Sequence, residues 1–288
     1  AIEILLDQLF VFLEGQNINC HRFGADFTIR PIKIFGDNVD INNRVIGDIE
    51  GMISRYSFDG SGQNMVKRVR DQLKLAKRDP AVKAVLLKVD SPGGEVMASD
   101  NIHRAIENFT KETKKPVICC MTGIAASGGY YIASACEYIV ADELTLTGSI
   151  GVIIQTVNLH GLMEKVGAKP YTIKSGKNKD ALSPYKSPDD IEANNDEELF
   201  HDLVMFYFDR FKSIVKKGRK ASLEYNSNRT EVGRPLAADW EEFADGRILT
   251  GIQAHEKGFV DQLGVYDDAV KVAERLAGIS GEAQLVRY

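Results

Sequence analysis

The sequence predicts an α/β domain built on a parallel sheet, and three observations carry that prediction. From Arg44 onward, strand-like and helix-like segments alternate, the order of β/α layering. Two strand candidates, Ala84-Val85-Leu86-Leu87 and 117–121, are continuous apolar runs, as strands covered on both faces are. Glycine-rich turns, Asp90-Ser91-Pro92-Gly93-Gly94 and the run from Thr122 to Gly129, follow those two strands and open helices.

The elements follow in chain order. Residues 1–43 read as an N-terminal appendage: 2–14 have helical spacing of apolar positions, and 18–35 read as short irregular strands. The main domain, 44–288, opens with a strand at Val45–Ile49, a turn around Gly60-Ser61-Gly62 and a helix at Met65–Ala76. A strand at Ala84–Val89, a helix at Val96–Phe109 and a strand at 116–121 come next. The glycine-rich turn then opens a helix at Tyr130–Ala135, followed by a short strand at Tyr138–Ala141 and the segment Gly148–Val152, which leads into Ile153-Ile154. The lysine-rich stretch 172–190 reads as a loop or flap, and the acidic run 189–198 as a solvated helix start. A long helix runs from Asp196 to Lys217; its Leu199, Val204, Phe206, Phe208, Phe211 and Ile214 suit a core or a subunit contact. Gly246–Gly264 gives turn, short helix, strand and turn, and Asp267–Ala277 a final helix.

Composition narrows the class. A chain of 288 residues with 44% hydrophobic and 27% charged content can bury a sizeable core. Its net charge of -5 is the wrong sign for a general nucleic-acid binder. No stretch approaches the roughly 20 apolar residues of a membrane span; the best candidate, Ile2 to Leu13, is broken by Glu3 and Asp7. No signal-peptide pattern is visible, although Ala1 in place of an initiator Met leaves room for a removed anchor or export signal. Cys20, Cys119, Cys120 and Cys136 lack metal-ligand spacing and read as small buried hydrophobes, so no metal or other cofactor is expected.

The chemistry centres on Thr122-Gly123-Ile124-Ala125-Ala126-Ser127-Gly128-Gly129-Tyr130-Tyr131. A strand that ends in a tight turn opening a helix pushes one side chain into a cleft and leaves backbone N–H groups free to face an anion. Ser127 is therefore a candidate nucleophile. The same pattern also serves close packing, and serine is a common helix cap. A serine that attacks an amide needs a base and oxyanion donors. None of the five histidines, His21, His103, His160, His201 and His255, stands in a suggestive setting. A lysine whose pKa is depressed can take that role, and Ile173 to Pro184 offers Lys174, Lys177 and Lys179.

Taken together, Ser91-Pro92-Gly93-Gly94, Ala125 to Ala133, Gly148-Ser149-Ile150-Gly151-Val152, Ser175-Gly176-x-x-Lys179-Asp180, and Ala244-Asp245-Gly246-Arg247 through Gly264 resemble signal peptide peptidase A, of peptidase family S49. The resemblance covers about residues 44–275. It implies a Clp/crotonase-like fold of stacked β-β-α units and a serine protease with Ser127 as nucleophile and Lys179 as general base. Lys174 and Lys177 do not sit at the family's lysine position. By the same resemblance, Ser149 orients the lysine amine, Gly94 and Gly128 form the oxyanion hole, and extended apolar peptides such as remnant signal peptides bind beside Gly148, Ile150, Gly151 and Val152. It further implies a homo-oligomer, in which Lys179 serves its own Ser127 or a neighbour's. It implies an extracytoplasmic catalytic domain whose membrane association runs through a segment not present in this chain. Without a visible anchor a cytoplasmic location also stays open, and residues 1–43 match no family motif. Two other functions fit the fold: a crotonase-like acyl-CoA enzyme, which Ala125-Ala126-Ser127-Gly128 disfavours, and a non-catalytic scaffold using the aromatic face of 199–214.

Overall fold

The computed structural model describes residues 43–56, 64–229, 231–280 and 284–287. The expected appendage and the Gly60-Ser61-Gly62 turn lie outside the described residues, as does Cys20.

Strands β1 (Asn43–Glu50), β2 (Val85–Ser91) and β3 (Val117–Ala126) run parallel, with Val45 opposite Val85 and Val85 opposite Val117. Strand β8 (Gln284–Arg287), which the sequence did not suggest, joins the outer side of β1. Strand β3 is the pivot of the sheet. Its first half, Ile118–Met121, pairs with β4 (Tyr138–Ala141), and its second half, Ile124–Ala126, with β5 (Leu146–Gly148). Strand β7 (Gln262–Leu263) pairs with β4, and β6 (Ile248–Thr250) lies antiparallel to β5. The protein is thus a mixed α/β structure on a largely parallel sheet.

Strand β3 runs five residues further than the expected 116–121, through what reads as turn sequence. A register shift between Val89 and Ser91 absorbs the irregularity, and the Asp90 carboxylate accepts the Ile124 N–H at 3.0 Å. A side chain thus replaces the missing ladder partner, and the strand continues to Ala126. Strand β5 stops at Gly148, and no regular structure follows until α4 (His160–Lys165).

The two faces of the sheet bury alternate residues, as the two-residue period of a strand requires. Val85, Leu87, Val89, Val117, Cys119 and Met121 pack with α1 (Met65–Arg78), α2 (Val96–Thr113) and α3 (Gly128–Ala133). On the other face Leu86, Ile118 and Cys120 meet Ala269, Val272, Ala273 and Leu276 of α8 (Tyr266–Ala277). Cys119, Cys120 and Cys136 are buried free thiols, and burial pushes Cys120 up to about 12. The short α7 (Gly251–Glu256) closes its first turn with a capping box from Thr250 and Gln253.

After α5 (Pro188–Ala193) comes α6 (Asp196–Asn226), which runs nine residues past the expected end at Lys217. Its last turns are held by buried polar groups, which an apolar pattern does not reveal. Arg219 pairs with Asp261, while Ser222 Oγ and Asn226 Nδ2 donate to the Glu137 carbonyl at 2.7 and 2.6 Å. The expected solvated start holds for the exposed Asp189, Asp190, Glu192, Glu197 and Glu198 but not for Asp196, which is buried and accepts from Lys186 Nζ at 2.5 Å and from the Leu182 N–H at 3.1 Å. Phe211 and Ile214 enter the core, whereas Leu199 and Phe206 stay exposed. No helix among the described residues is long and apolar enough to cross a membrane.

Candidate active site

Ser127 stands between β3 and α3 with φ 50° and ψ −118°, a conformation that L-residues rarely adopt. Two bonds hold it there. Its N–H donates to the Gly148 carbonyl at 2.9 Å, and its carbonyl accepts the Tyr131 N–H at 2.9 Å. Its hydroxyl makes no capping bond to the helix, so the serine is not serving as an ordinary N-cap.

Ser149 occupies the matching place on the next strand. Ala126 lies opposite Gly148, so Ser127 and Ser149 leave the ends of neighbouring strands side by side. Ser149 also has a positive φ, 49°, and its N–H donates to the Arg247 carbonyl at 2.8 Å. Beyond it Ile150 is buried, while Gly151 and Val152 are half-buried.

The turn after β2 lies against the turn after β3. A Cβ on Gly93 would stand 2.7 Å from the Gly128 nitrogen, and one on Gly128 would stand 3.2 Å from the Gly94 nitrogen and 2.4 Å from Ser99 Oγ. Only glycine at these positions lets the two backbones approach so closely. Gly94 itself, at φ 154°, lies against the Ile53 carbonyl. Among the described residues neither the Gly94 N–H nor the Gly128 N–H has an acceptor. Two unpaired donors therefore lie close together beside Ser127, an arrangement that can stabilise developing negative charge on an oxygen.

Beneath α3, Tyr131 donates its hydroxyl to Asp100 Oδ1 at 2.7 Å, Arg104 Nε donates to Asp100 Oδ2 at 2.7 Å, and Tyr130 donates to the Phe259 carbonyl at 2.9 Å. Burial pushes both phenols well above their ordinary range. His103 packs edge-on against Tyr131 with ring centroids 5.3 Å apart, and burial pulls its imidazole down to about 4. In the sequence Ser91, Asp100 and Tyr131 carry no separate role; a serine leading directly into Pro-Gly-Gly is the available signal for the first.

The fold brings Ser127, Ser149, Gly94 and Gly128 to one place, and no hydrogen bond or ion pair among the described residues joins Lys179 to them. Lys179 sits in a single 3₁₀ turn, Lys177–Asp180, and its side chain is exposed. Among the described residues its amine makes no hydrogen bond or ion pair, with Ser127 or any other group. The turn itself is braced: Lys174 Nζ donates to both Asp180 oxygens at 2.7 and 2.9 Å and to the Lys177 carbonyl at 3.2 Å. Asp180 is thereby held below the usual carboxylate range. The turn belongs to a long arm, residues 152–193, on which a cavity of about 590 Å³ opens, lined by His160, Met163, Tyr185 and Lys186 among others. The described residues contain no cluster of three or more His, Cys, Asp or Glu side chains suited to a metal ion.

Residues 110–280, more than half of the chain, match the model of Peptidase family S49. A putative signal peptide peptidase SppA of Enterococcus faecium is 41% identical over 217 residues, 75% of this chain and 57% of that protein. A putative protease of Methanocaldococcus jannaschii is 36% identical over 212 residues, 74% of this chain and 61% of its own length. Protease 4 of Haemophilus influenzae is 33% identical over 275 residues, which are 94% of this chain but 40% of that protein. The chain thus spans between 40% and 61% of the length of these relatives. With the matched region running from the end of α2 through β3, Ser127 and the lysine-bearing arm to α8, the chain belongs to peptidase family S49.

Proposed function

We propose that this chain is the catalytic part of a serine endopeptidase that cleaves extended apolar peptides, remnant signal peptides among them, through a Ser127–Lys179 dyad. One observation carries the reading: Ser127 is held at a strained junction beside the unpaired N–H groups of Gly94 and Gly128. In the proposed reaction Ser127 Oγ attacks the peptide carbonyl carbon and gives its proton to the Lys179 amine. The two N–H groups receive the oxyanion. Collapse of the tetrahedral adduct breaks the C–N bond, and Lys179 returns the proton to the leaving amine. Water then hydrolyses the acyl-serine by the same proton route, so the steps need no metal or cofactor. The Ser149 hydroxyl orients the lysine amine, and the peptide extends along Gly148–Val152 with its backbone beside the end of β5.

The exposed position of Lys179 supports an assembly of several copies, in which arms meet active sites. The arm leaves Ile153, Val157, Leu162, Val166 and Ile173 exposed, an apolar surface suited to burial between subunits.

The test is cleavage of a panel of apolar signal-like peptides. Ser127→Ala and Lys179→Ala should each lower kcat/KM by at least about a thousandfold while circular dichroism stays unchanged. Activity retained in either variant removes that residue from the dyad, and a folded wild type that cleaves nothing in the panel rejects the peptidase reading.

A further inference from the structure

The geometry points to Ser91 as a positioning residue that aims the oxyanion hole, an assignment that rests on the peptidase reading above. Consider the backbone donors of the turn that carries Gly94. Pro92 has no N–H to give. The Gly93 N–H donates to Ser91 Oγ at 3.1 Å, and the Glu95 N–H donates to the Ile53 carbonyl at 2.8 Å. Across this turn Gly94 alone keeps its N–H unspent among the described residues. The Ser91 hydroxyl therefore decides which donor the turn presents. Without it, the Gly93 N–H is a second buried donor in search of an acceptor, and the turn can rotate to satisfy it.

The same hydroxyl fixes where the turn sits. Ser91 is fully buried, and its Oγ donates to the Gly51 carbonyl at 2.6 Å while accepting from Gly93. Gly51 leads to Ile53, whose N–H donates to the Gly93 carbonyl at 2.8 Å. One hydroxyl thus ties the turn to the strand extension that clamps Gly93 and Glu95. The rest of Ser91 faces the nucleophile's side of the cleft. Its backbone pairs with Ala125, two residues before Ser127, and its carbonyl lies against Gly129, where a Cβ would stand 2.9 Å from it. Ser91 thus touches both donor-bearing turns, its own through Gly93 and the other through Gly129.

An oxyanion donor acts on the transition state more than on the bound peptide, so loss of its aim should lower kcat and spare KM. The experiment compares wild type, Ser91→Ala and Ser91→Cys, the cysteine filling the serine's place with a weak acceptor. Steady-state cleavage of one apolar peptide is read beside inhibition by the matching peptidyl aldehyde, whose tetrahedral adduct places an oxygen in the hole. Both variants are expected to lose about 10- to 100-fold in kcat with KM within about threefold, and to weaken aldehyde inhibition by the same factor. Should the alanine variant fail to fold, the cysteine variant carries the test. Wild-type kcat in a folded variant, or a loss confined to KM or thermal stability, overturns the assignment of Ser91. If wild type neither cleaves peptide nor binds the aldehyde, the peptidase reading falls first and this assignment with it.

Discussion

Tyr131 donates its hydroxyl to Asp100 at 2.7 Å, and this bond joins the helix that follows Ser127 to the helix that follows Gly94. The two turns that carry the unpaired N–H groups are thus tied from below as well as packed against each other. Asp100 keeps its second partner, Arg104, so loss of the phenol does not leave the carboxylate bare. Tyr131→Phe should cost about 1.5–3 kcal/mol in urea unfolding, the worth of a hydrogen bond to a charged group. An unchanged urea midpoint would show that the bond contributes nothing to the folded state.

Gly128→Ala tests the close approach of the two turns. The new Cβ would stand 2.4 Å from Ser99 Oγ and 3.2 Å from the Gly94 nitrogen, crowding the space between the donors. Cleavage should fall about 100-fold or more, as when an oxyanion donor is lost. Adding Ser99→Ala removes the nearer clash and should recover stability more than rate, because the methyl still faces Gly94. Full recovery of kcat in the double variant would place the defect in packing alone.

Ser127 carries backbone strain. At φ 50° and ψ −118° a glycine is more at ease than any L-residue. Ser127→Gly and Ser127→Ala should both be inactive, with the glycine variant more stable by about 1 kcal/mol despite its larger entropy when unfolded. Thermal unfolding of the pair settles this, and a less stable glycine variant would contradict the strain.

Two buried groups oppose each other in the acid range. Burial raises the Glu137 carboxyl to about 7 from its ordinary 4.5, even as it accepts the Val117 N–H at 2.7 Å. Between those values the folded chain keeps a proton that the unfolded chain has released, so this contribution to stability falls as pH rises. Burial lowers His103 to about 4 from 6.5, so there the unfolded chain holds the extra proton and stability rises with pH. The two slopes partly cancel between about pH 4.5 and 6.5. In Glu137→Gln the melting temperature should climb more steeply than wild type across that window, and in His103→Phe it should fall. Curves parallel to wild type in both variants would rule out either group as the source.

The order of strands and helices was legible because their signals are local. Apolar runs at 84–87 and 117–121 became β2 and β3, and the period of 65–76 and 96–109 became α1 and α2. Tertiary context moved the boundaries where side chains act at a distance: Asp90 extends β3, Arg219 and Asn226 carry α6 onward, and Lys186 draws Asp196 inside. Ser127 stood out from its own strand-turn-helix pattern, whereas Ser149, Gly94 and Gly128 were marked through the family resemblance that short local motifs carry. Their convergence was a matter of topology, since β3 changes partners midway and sets Ala126 against Gly148 while the turn after β2 lies against Gly128. Which N–H groups stay unpaired was likewise decided by the tertiary structure, because a donor is free only when every nearby acceptor is spent, and Ser91 and Ile53 take the competing donors through contacts made by folding.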